Sequence, residues 1–565
     1  MEFINKGDFE MKRKRLTRLA AITVVSTVLL VTACGVSNQA QTTPTPTNPS
    51  PKTQTVDPLA KYDPPITITE GRLIDPNNTA KDGETYDNNV WNKLFTDNGI
   101  NIQYQWTSTD QNSYDNKVNI SIASGGIPDI FPVNGMQLKM LADNNQLADL
   151  TEIYQKYASP LTKKIMGDDG GLAFKSATFG GKLLAIPQTH PTIGENFLWV
   201  RTDWLKKLNL PAPQTMQDVL KIAKAFATED PNGSGKHNTI GLGAAKGLWG
   251  GWPGLEGFFN GYHAYPNIWI KDATGKLVYG SVQPEMKAAL TQLQQLYKDG
   301  IIDKEFGVKD GGKVAESIAS GQLGMFYGAW WAPAYPLQAG KNQDPKMQWQ
   351  AYPILSADNQ PASAQNPFYV SNYYVAKKGS KHPEALIKLL NLWFEKMYGG
   401  SANDYLTYGI KKDSTQVYKF ANIFGWPPNY LSNDRSDHIM AALNSKDPSK
   451  LTVEEKSYYD EILAFRNGDN KQWSVEGMYG SFSVWPAWHH LVDNKLIMQN
   501  AFYGAPTPTM ADKGASLNTL QNEEITKIIM GEVPVSDFDN FVASWKKLGG
   551  DQETKEVNDW YALQK

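Results

Sequence analysis

Cysteine is almost absent. The 565-residue chain contains one, Cys34, so no intrachain disulfide can brace it. An excess of positive charge is missing too. Lys and Arg number 55 against 58 Asp and Glu, a net charge of −3, which leaves no electrostatic footprint for nucleic acid. After Cys34 no apolar run approaches the roughly twenty residues that cross a bilayer. His-Glu-x-x-His, Gly-x-Ser-x-Gly and a P-loop are also lacking, and the histidines are scattered, with His489-His490 the one adjacent pair. Aromatic residues, by contrast, are abundant. The 17 Trp and 26 Tyr suit a large core or stacking surfaces for flat ligands.

The lone cysteine has an informative position. Lys12-Arg13-Lys14-Arg15 precede an apolar run that starts near Leu19 and ends in Leu30-Val31-Thr32-Ala33-Cys34. A basic segment, a short apolar segment and small residues before a cleavage point make a secretory signal peptide over residues 1–33. The residues before Met11 fit no such pattern, so translation is expected to start there. A cysteine directly after Thr-Ala matches the bacterial lipobox, in which the thiol is diacylated and the chain is cut just before it. Cys34 is therefore the expected lipidation site, and two acyl chains suffice for stable anchoring. Residues 34–61 read as a lipidated cysteine and a Pro/Thr-rich spacer with little to bury.

The remaining chain, about 500 residues, is long for one core and suggests two lobes. Strands are expected at Pro65-Ile66-Thr67-Ile68-Thr69, at Ile102 to Trp106 and at Pro128 to Phe131. Helices are expected around Val90–Phe95 and Asn112–Ala123. This alternation predicts α/β architecture with a parallel sheet. Thr215 and Asp218 form a capping-box pattern before an apolar stripe. Met286, Leu290, Leu293 and Leu296 lie on one face of a helix that Gly300 stops. Pro383 opens a helix that carries Leu386, Leu389, Leu390 and Trp393. A last helix is expected from a Ser536/Asp539 cap to Gly549-Gly550.

Several ordered segments resemble the extracellular solute-binding proteins of family 1, the sugar-binding subunits of ABC importers, and among them the large Gram-positive lipoproteins. The segments are Ala123–Ile130, Gly180–Pro187, Leu198–Leu208 leading to Pro211 and Thr215, Gly321–Trp331, Pro506–Met510, Lys527–Gly531 and Trp545–Asp551. The resemblance implies a two-lobed periplasmic-binding-protein-like fold, hinged lobes each with a mainly parallel central sheet flanked by helices. It implies crossovers at Ala185–Thr192, near Gly328–Pro333 and around Ala376–His382. The N-terminal lobe would comprise 62–188 and about 345–378. The C-terminal lobe would comprise 189–333 and about 382–500, and 501–565 would pack on the lobes. The implied function is capture of an oligosaccharide by hinge closure, without chemistry, and delivery to ABC permease subunits. The protein would act as a monomer on the outer face of a Gram-positive cytoplasmic membrane.

A sugar site needs aromatic faces and planar amides or carboxylates. Trp330 and Trp331 leave the implied second crossover, where the family presents stacking rings. Trp249 and Trp252 lie in the Gly-rich stretch Gly247–Gly254. Trp426, before Pro427-Pro428, and Trp485 and Trp488, in Trp-Pro-Ala-Trp, read as further loop aromatics. Each has a core-packing alternative. Among polar groups, Asn134 follows a strand end, which in open α/β sheets faces the ligand crevice. Gln188 and His190 lie on the first crossover, and Glu476 precedes the Trp485 stretch.

Asp230, Asn232, Ser234, Lys236 and Asn238 occupy positions one, three, five, seven and nine of a calcium-loop pattern, with Gly235 at the turn. Gly241 replaces the bidentate glutamate, so one carboxylate would serve a weak structural Ca²⁺ site. The alternative is a Gly/Asn turn.

Two other functional classes remain open to the residues. A surface carbohydrate hydrolase needs two facing carboxylates roughly 5–10 Å apart. A peptide-binding lipoprotein needs a cleft poor in aromatics. For the anchor, Cys34→Ser is expected to release the protein into the medium or leave it uncleaved. Fractionation that finds the variant matured and membrane-bound would refute lipidation.

Overall fold

The computed structural model describes residues 56–564, except 77, 79–82, 191–195, 251, 412–414 and 429–434. Cys34, the signal peptide and most of the spacer lie outside these residues. In chain order the strands that frame the molecule are β1 (Ile66–Leu73), β2 (Ile100–Ser108), β3 (Ile130–Val133), β4 (Ala185–Thr189), β5 (Phe197–Arg201), β6 (Ile240–Leu242), β7 (Leu323–Gly328), β8 (Trp349–Tyr352), β9 (Ala364–Asn366), β10 (Val370–Ala376) and β11 (Ile497–Gln499).

The first sheet runs β2-β1-β3-β10-β4. Its β1–β2 and β1–β3 pairings are parallel, and β10 is antiparallel to both neighbours. One strand of five is therefore reversed. The β1–β2 register shifts between Glu70 and Gly71. Glycine is required there because a Cβ on Gly71 would lie 2.3 Å from the Trp106 ring. Every residue of the Ala385–Phe394 helix is buried, and Trp393 stacks on Trp91 at 4.9 Å. Residues 417–423 pack on the same core.

The second sheet runs β8-β5-β7-β6, with β5 the one reversed strand. Strands β5 and β7 are buried along their whole length, as expected of strands covered on both faces. The period of two divides β5 between two cores. Leu198 and Val200 meet the Met216–Thr228 and Met286–Lys298 helices on one side, whereas Phe197 and Trp199 meet Trp485 and Trp488 on the other. The Thr215/Asp218 capping box is formed, and Gly300 adopts φ of 74° after the second helix. Leu517, Ile525, Phe541 and Trp545 complete the first of these cores.

Three expectations are corrected. Residues 349–352 belong to the second sheet, where β8 pairs with β5 and the Trp349 ring lies 5.6 Å from Phe326. Residues 385–423, assigned above to the C-terminal lobe, pack in the first core, where Trp393 stacks on Trp91 and Leu389 joins the same cluster. The chain thus crosses from the first sheet after Thr189 and returns between Asn366 and Val370, not at 328–333 or 376–382. It leaves again after Trp426. Finally, Ser536 does not cap. A 3-10 turn over Val535–Asp537 leads into the Phe538–Trp545 helix, and a kink at Gly549 (φ 155°) leads on to another helix, Asp551–Ala562.

Candidate functional site

The ends of the two sheets that face the crossing follow from the register. The first crossing starts at Thr189, paired with Val370 at the start of β10. It ends at Phe197, paired with Gly328 at the end of β7. The segments after β4 and β7 therefore border the junction of the sheets, where open α/β folds bind ligands.

At the end of β7, Trp330 and Trp331 are both half-buried. Trp330 leans on Tyr479, ring centres 6.1 Å apart. Trp331 joins none of the hydrophobic clusters formed by the described residues. Trp252 stands 5.1 Å from Phe326 and 6.0 Å from Tyr335, whose side chain is 50% exposed. Trp252 and Tyr335 thus pair edge to face, while Trp330 and Trp331 follow the end of β7. Tyr335 was missed in the sequence because a lone Tyr between Ala334 and Pro336 carries no period.

Other expected aromatics are structural. The Trp249 indole N–H donates to Asn522 Oδ1 at 2.7 Å, and its ring packs 5.4 Å from Phe259. This ties the Gly-rich loop to the Pro508–Met530 helix. Trp426 packs on Trp393 and Tyr418 at 6.2 and 5.3 Å. Its backbone N–H donates to the Thr189 carbonyl at 3.1 Å, which fastens it to the end of β4. Trp485 and Trp488 are not in a loop. They open the Trp485–Asp493 helix, whose first turn tolerates Pro486, and each is 4% exposed in the core. Glu476 is likewise buried in a helix, where it accepts from Arg466 at 2.8 and 2.9 Å and from the Ser481 N–H at 2.9 Å. Hydrogen bonds from Arg466 and Ser481 overcome burial and keep its carboxyl below the usual range.

Among the polar candidates, Asn134 caps the Gly135–Asp143 helix and accepts from the Gln137 N–H at 2.9 Å. Gln188 and His190 are brought together on the crossing edge. Gln188 Oε1 accepts from Ser371 Oγ and Asn372 Nδ2, both at 3.3 Å, and Ser371 Oγ lies 2.9 Å from His190 Nε2. Burial pushes the His190 pKa down, which favours the neutral ring.

A buried polar cluster at the end of β1 was also missed. Arg72 donates to the carbonyls of Phe420 and Ala421 at 2.8 and 3.0 Å and to Tyr104 Oη at 3.0 Å. Asn422 Nδ2 donates to Glu70 and, at 3.1 Å, to Tyr104 Oη. Glu70 and Arg72, interrupting an alternating strand, were the available signal. The cluster clamps residues 417–424 onto β1.

The Asp230–Asn238 segment brings oxygens together. Ser234 Oγ lies 3.3 Å from both Asp230 Oδ1 and Asn238 Oδ1, and Asp230 Oδ2 accepts from the Gly235 N–H at 2.8 Å. That backbone bond holds the Asp230 pKa down. Asn232 Oδ1 accepts from the Ser234 N–H at 3.0 Å. The donor set is correct in type but supplies one carboxylate. Lys207 Nζ donates to the adjacent Pro231 carbonyl at 2.7 Å, which places a competing cation beside the loop. Among the described residues no group of three or more His, Cys, Asp or Glu could hold a metal. The loop fits a weak oxygen site at most.

Residues 77–399 match the family described as bacterial extracellular solute-binding protein, and the chain belongs to that family. Two Bacillus subtilis relatives extend the likeness. Lipoprotein LipO is 24% identical over 83% of this chain and 87% of its own. The polygalacturonan/rhamnogalacturonan-binding protein YtcQ is 22% identical over 79% and 82%. Among solved structures, the HMO-binding, ABC-transporter-associated solute-binding protein of Bifidobacterium longum infantis superposes with a TM-score of 0.61 at 15% identity. It covers 88% of this chain and 99% of that one. The fold is thus that of two-domain solute-binding proteins.

Glu70 yields a pH prediction. Burial raises its pKa to about 7, against a smaller opposing effect of Arg72. A carboxyl raised on folding binds its proton more tightly in the folded state. Its contribution is therefore intact below the unfolded pKa and is lost as pH climbs toward 7. Glu70→Gln is expected to stabilise the protein by about 1–3 kcal/mol at pH 8 and far less at pH 5. Urea denaturation at both values checks this, and an equal effect at the two pH values would contradict it.

Proposed function

We propose that the protein captures an oligosaccharide at the junction of its two sheets and delivers it to the permease of an ABC importer, leaving the sugar chemically unchanged. The reading rests on the rings of Trp252, Trp330, Trp331 and Tyr335, which would form an aromatic shelf past the end of β7, and on the amide and imidazole edge of Gln188, Asn372 and His190 at the end of β4. Flat rings suit the C–H faces of a sugar, and side-chain amides suit its hydroxyls. Family membership and the saccharide-binding relatives support the reading. Cys34 would hold the body, as a lipid-anchored monomer, on the outer face of the cytoplasmic membrane.

Oligogalacturonides, fructo-oligosaccharides and milk oligosaccharides form a direct calorimetric panel. At least one is expected to bind, and to be recovered intact. Trp331→Ala is expected to weaken binding roughly tenfold or more, the loss of one stacking face, with little change in melting temperature. Turnover of the sugar, or equal affinity in the variant, would overturn the assignment.

Calcium is part of the same reading in a minor role. Asp230, Asn232, Ser234, the Lys236 carbonyl and Asn238 would hold the ion with a Kd of about 10⁻⁴–10⁻³ M. The loop's own hydrogen bonds keep its shape without it. Chelator is therefore expected to leave the melting temperature unchanged, and a chelator-induced fall of several degrees would show a tighter structural ion.

A further inference from the structure

One helix in the core of the first sheet carries side chains that its burial does not explain. Every residue of the Ala385–Phe394 helix is buried, yet Lys388 and Asn391 belong to it, three residues apart and so on one face. Burial pushes the Lys388 pKa down, with Asp57 and Glu384 opposing, so a charge is costly there. Both side chains serve one short segment, read above as the end of the Pro/Thr-rich spacer. Lys388 Nζ donates to the Ala60 carbonyl and stands 4.6 Å from the centre of the Tyr62 ring. Asn391 Nδ2 donates to the Pro58 carbonyl at 3.2 Å and to the Tyr157 carbonyl at 2.7 Å. Just before the helix, Glu384 Oε1 accepts from Tyr62 Oη at 3.0 Å, and the His382 ring meets that of Tyr62 edge to face at 5.8 Å. The segment also lies on the turn before β2. The Tyr62 N–H donates to the Asn98 carbonyl at 3.1 Å, and a Cβ on Gly99 would fall 2.4 Å from the Tyr62 carbonyl oxygen. Within the segment the Ala60 N–H closes a turn on the Asp57 carbonyl at 3.2 Å.

We propose that residues 57–62 are a mooring strap, through which pull on the Cys34 anchor is borne by Lys388, Asn391 and Glu384 before it reaches β1. Strand β1 begins at Ile66 and pairs with both β2 and β3. A load arriving there directly would strain the sheet from which both crossings leave. The strap spends that load on side chains of the neighbouring helix instead. Lys388 explains its own place in this way: its ammonium and its stem both engage the strap. The membrane then holds the half built on the first sheet, and the half built on the second sheet has no strap of its own among the described residues. The strap draws its use from the anchor proposed at Cys34 and does not depend on sugar capture.

Optical-tweezer handles at Cys34 and at Gln155→Cys, an exposed helical position of the same half, load the strap directly in the full, unprocessed chain. The strap is expected to hold until β1 yields. Lys388→Met keeps an aliphatic stem and removes the donor and the cation. It is expected to free the strap in a separate early step of roughly 20 Å, six residues at about 3.5 Å each. Amide hydrogen exchange of residues 57–62 should rise about fivefold in the same variant, the effect of one hydrogen bond, with no rise across the Ala385–Phe394 helix. Tyr62→Phe, which leaves the helix unaltered, should raise exchange of the same residues. An early 20 Å step already present in the unsubstituted chain would overturn the strap. So would unchanged exchange in both variants, or an equal rise across the helix, which would make Lys388 a helix residue only. An unlipidated Cys34 or failure to bind any sugar would leave these measurements standing and count only against those readings.

Discussion

The pairing of β4 with β10 is the constraint on which the rest of the structure depends. β4 carries the chain toward the second sheet and β10 carries it back, so hydrogen bonds between them hold both crossings side by side. Everything beyond Thr189 and before Val370 must then be organised around one edge. This is why the second sheet enters with a reversed strand, β5, and why the end of β7 comes to lie beside the junction. It also explains the polar character of the shared edge. Gln188, Ser371, Asn372 and His190 satisfy one another there, whereas the strand interiors are apolar.

Around that junction the structure divides its tryptophans by task. Trp91, Trp199, Trp349 and Trp393 are wholly or almost wholly buried and set the spacing of helices and strands. Trp249, through its indole N–H, and Trp426, through its backbone N–H, fasten loops by a hydrogen bond as well as by their rings. Trp330 and Trp331 remain half-buried after the end of β7; Trp330 rests on Tyr479, and Trp331 joins none of the hydrophobic clusters formed by the described residues. The polar groups divide similarly. Glu476 and Glu70 are consumed by internal partners, and neither is free to serve a ligand.

Much of this was legible in the chain and some was not, for identifiable reasons. The α/β class, the Thr215 capping box and the Met286 helix follow from periodicity and local caps, which act within a few residues. The lobe boundaries failed where affiliation is decided by partners far away in sequence. The Trp349 strand and the Trp393 helix have the patterns expected of either half, and only their contacts with Phe326 and Trp91 place them. The Trp485–Trp488 stretch reads as a loop in the sequence because Trp-Pro-Ala-Trp suits a turn as well as a helix start, whereas Pro486 here occupies the first helical turn. Trp330 and Trp331 stand out in the sequence directly after the β7 strand, whereas Tyr335, which meets Trp252, follows a turn that no local pattern announces.

The bond from Trp249 to Asn522 joins a loop in the middle of the chain to a helix near its end. During synthesis and export the residues of the Trp249–Trp252 loop emerge long before Asn522. The loop therefore cannot reach its final setting until almost the entire polypeptide has been delivered. A chain that stops early, or is clipped near its end by a protease, would leave this loop unfastened. Completeness of the molecule is in this way written into the contact of Trp249 with Asn522, which a truncated copy would lack even where both sheets have formed.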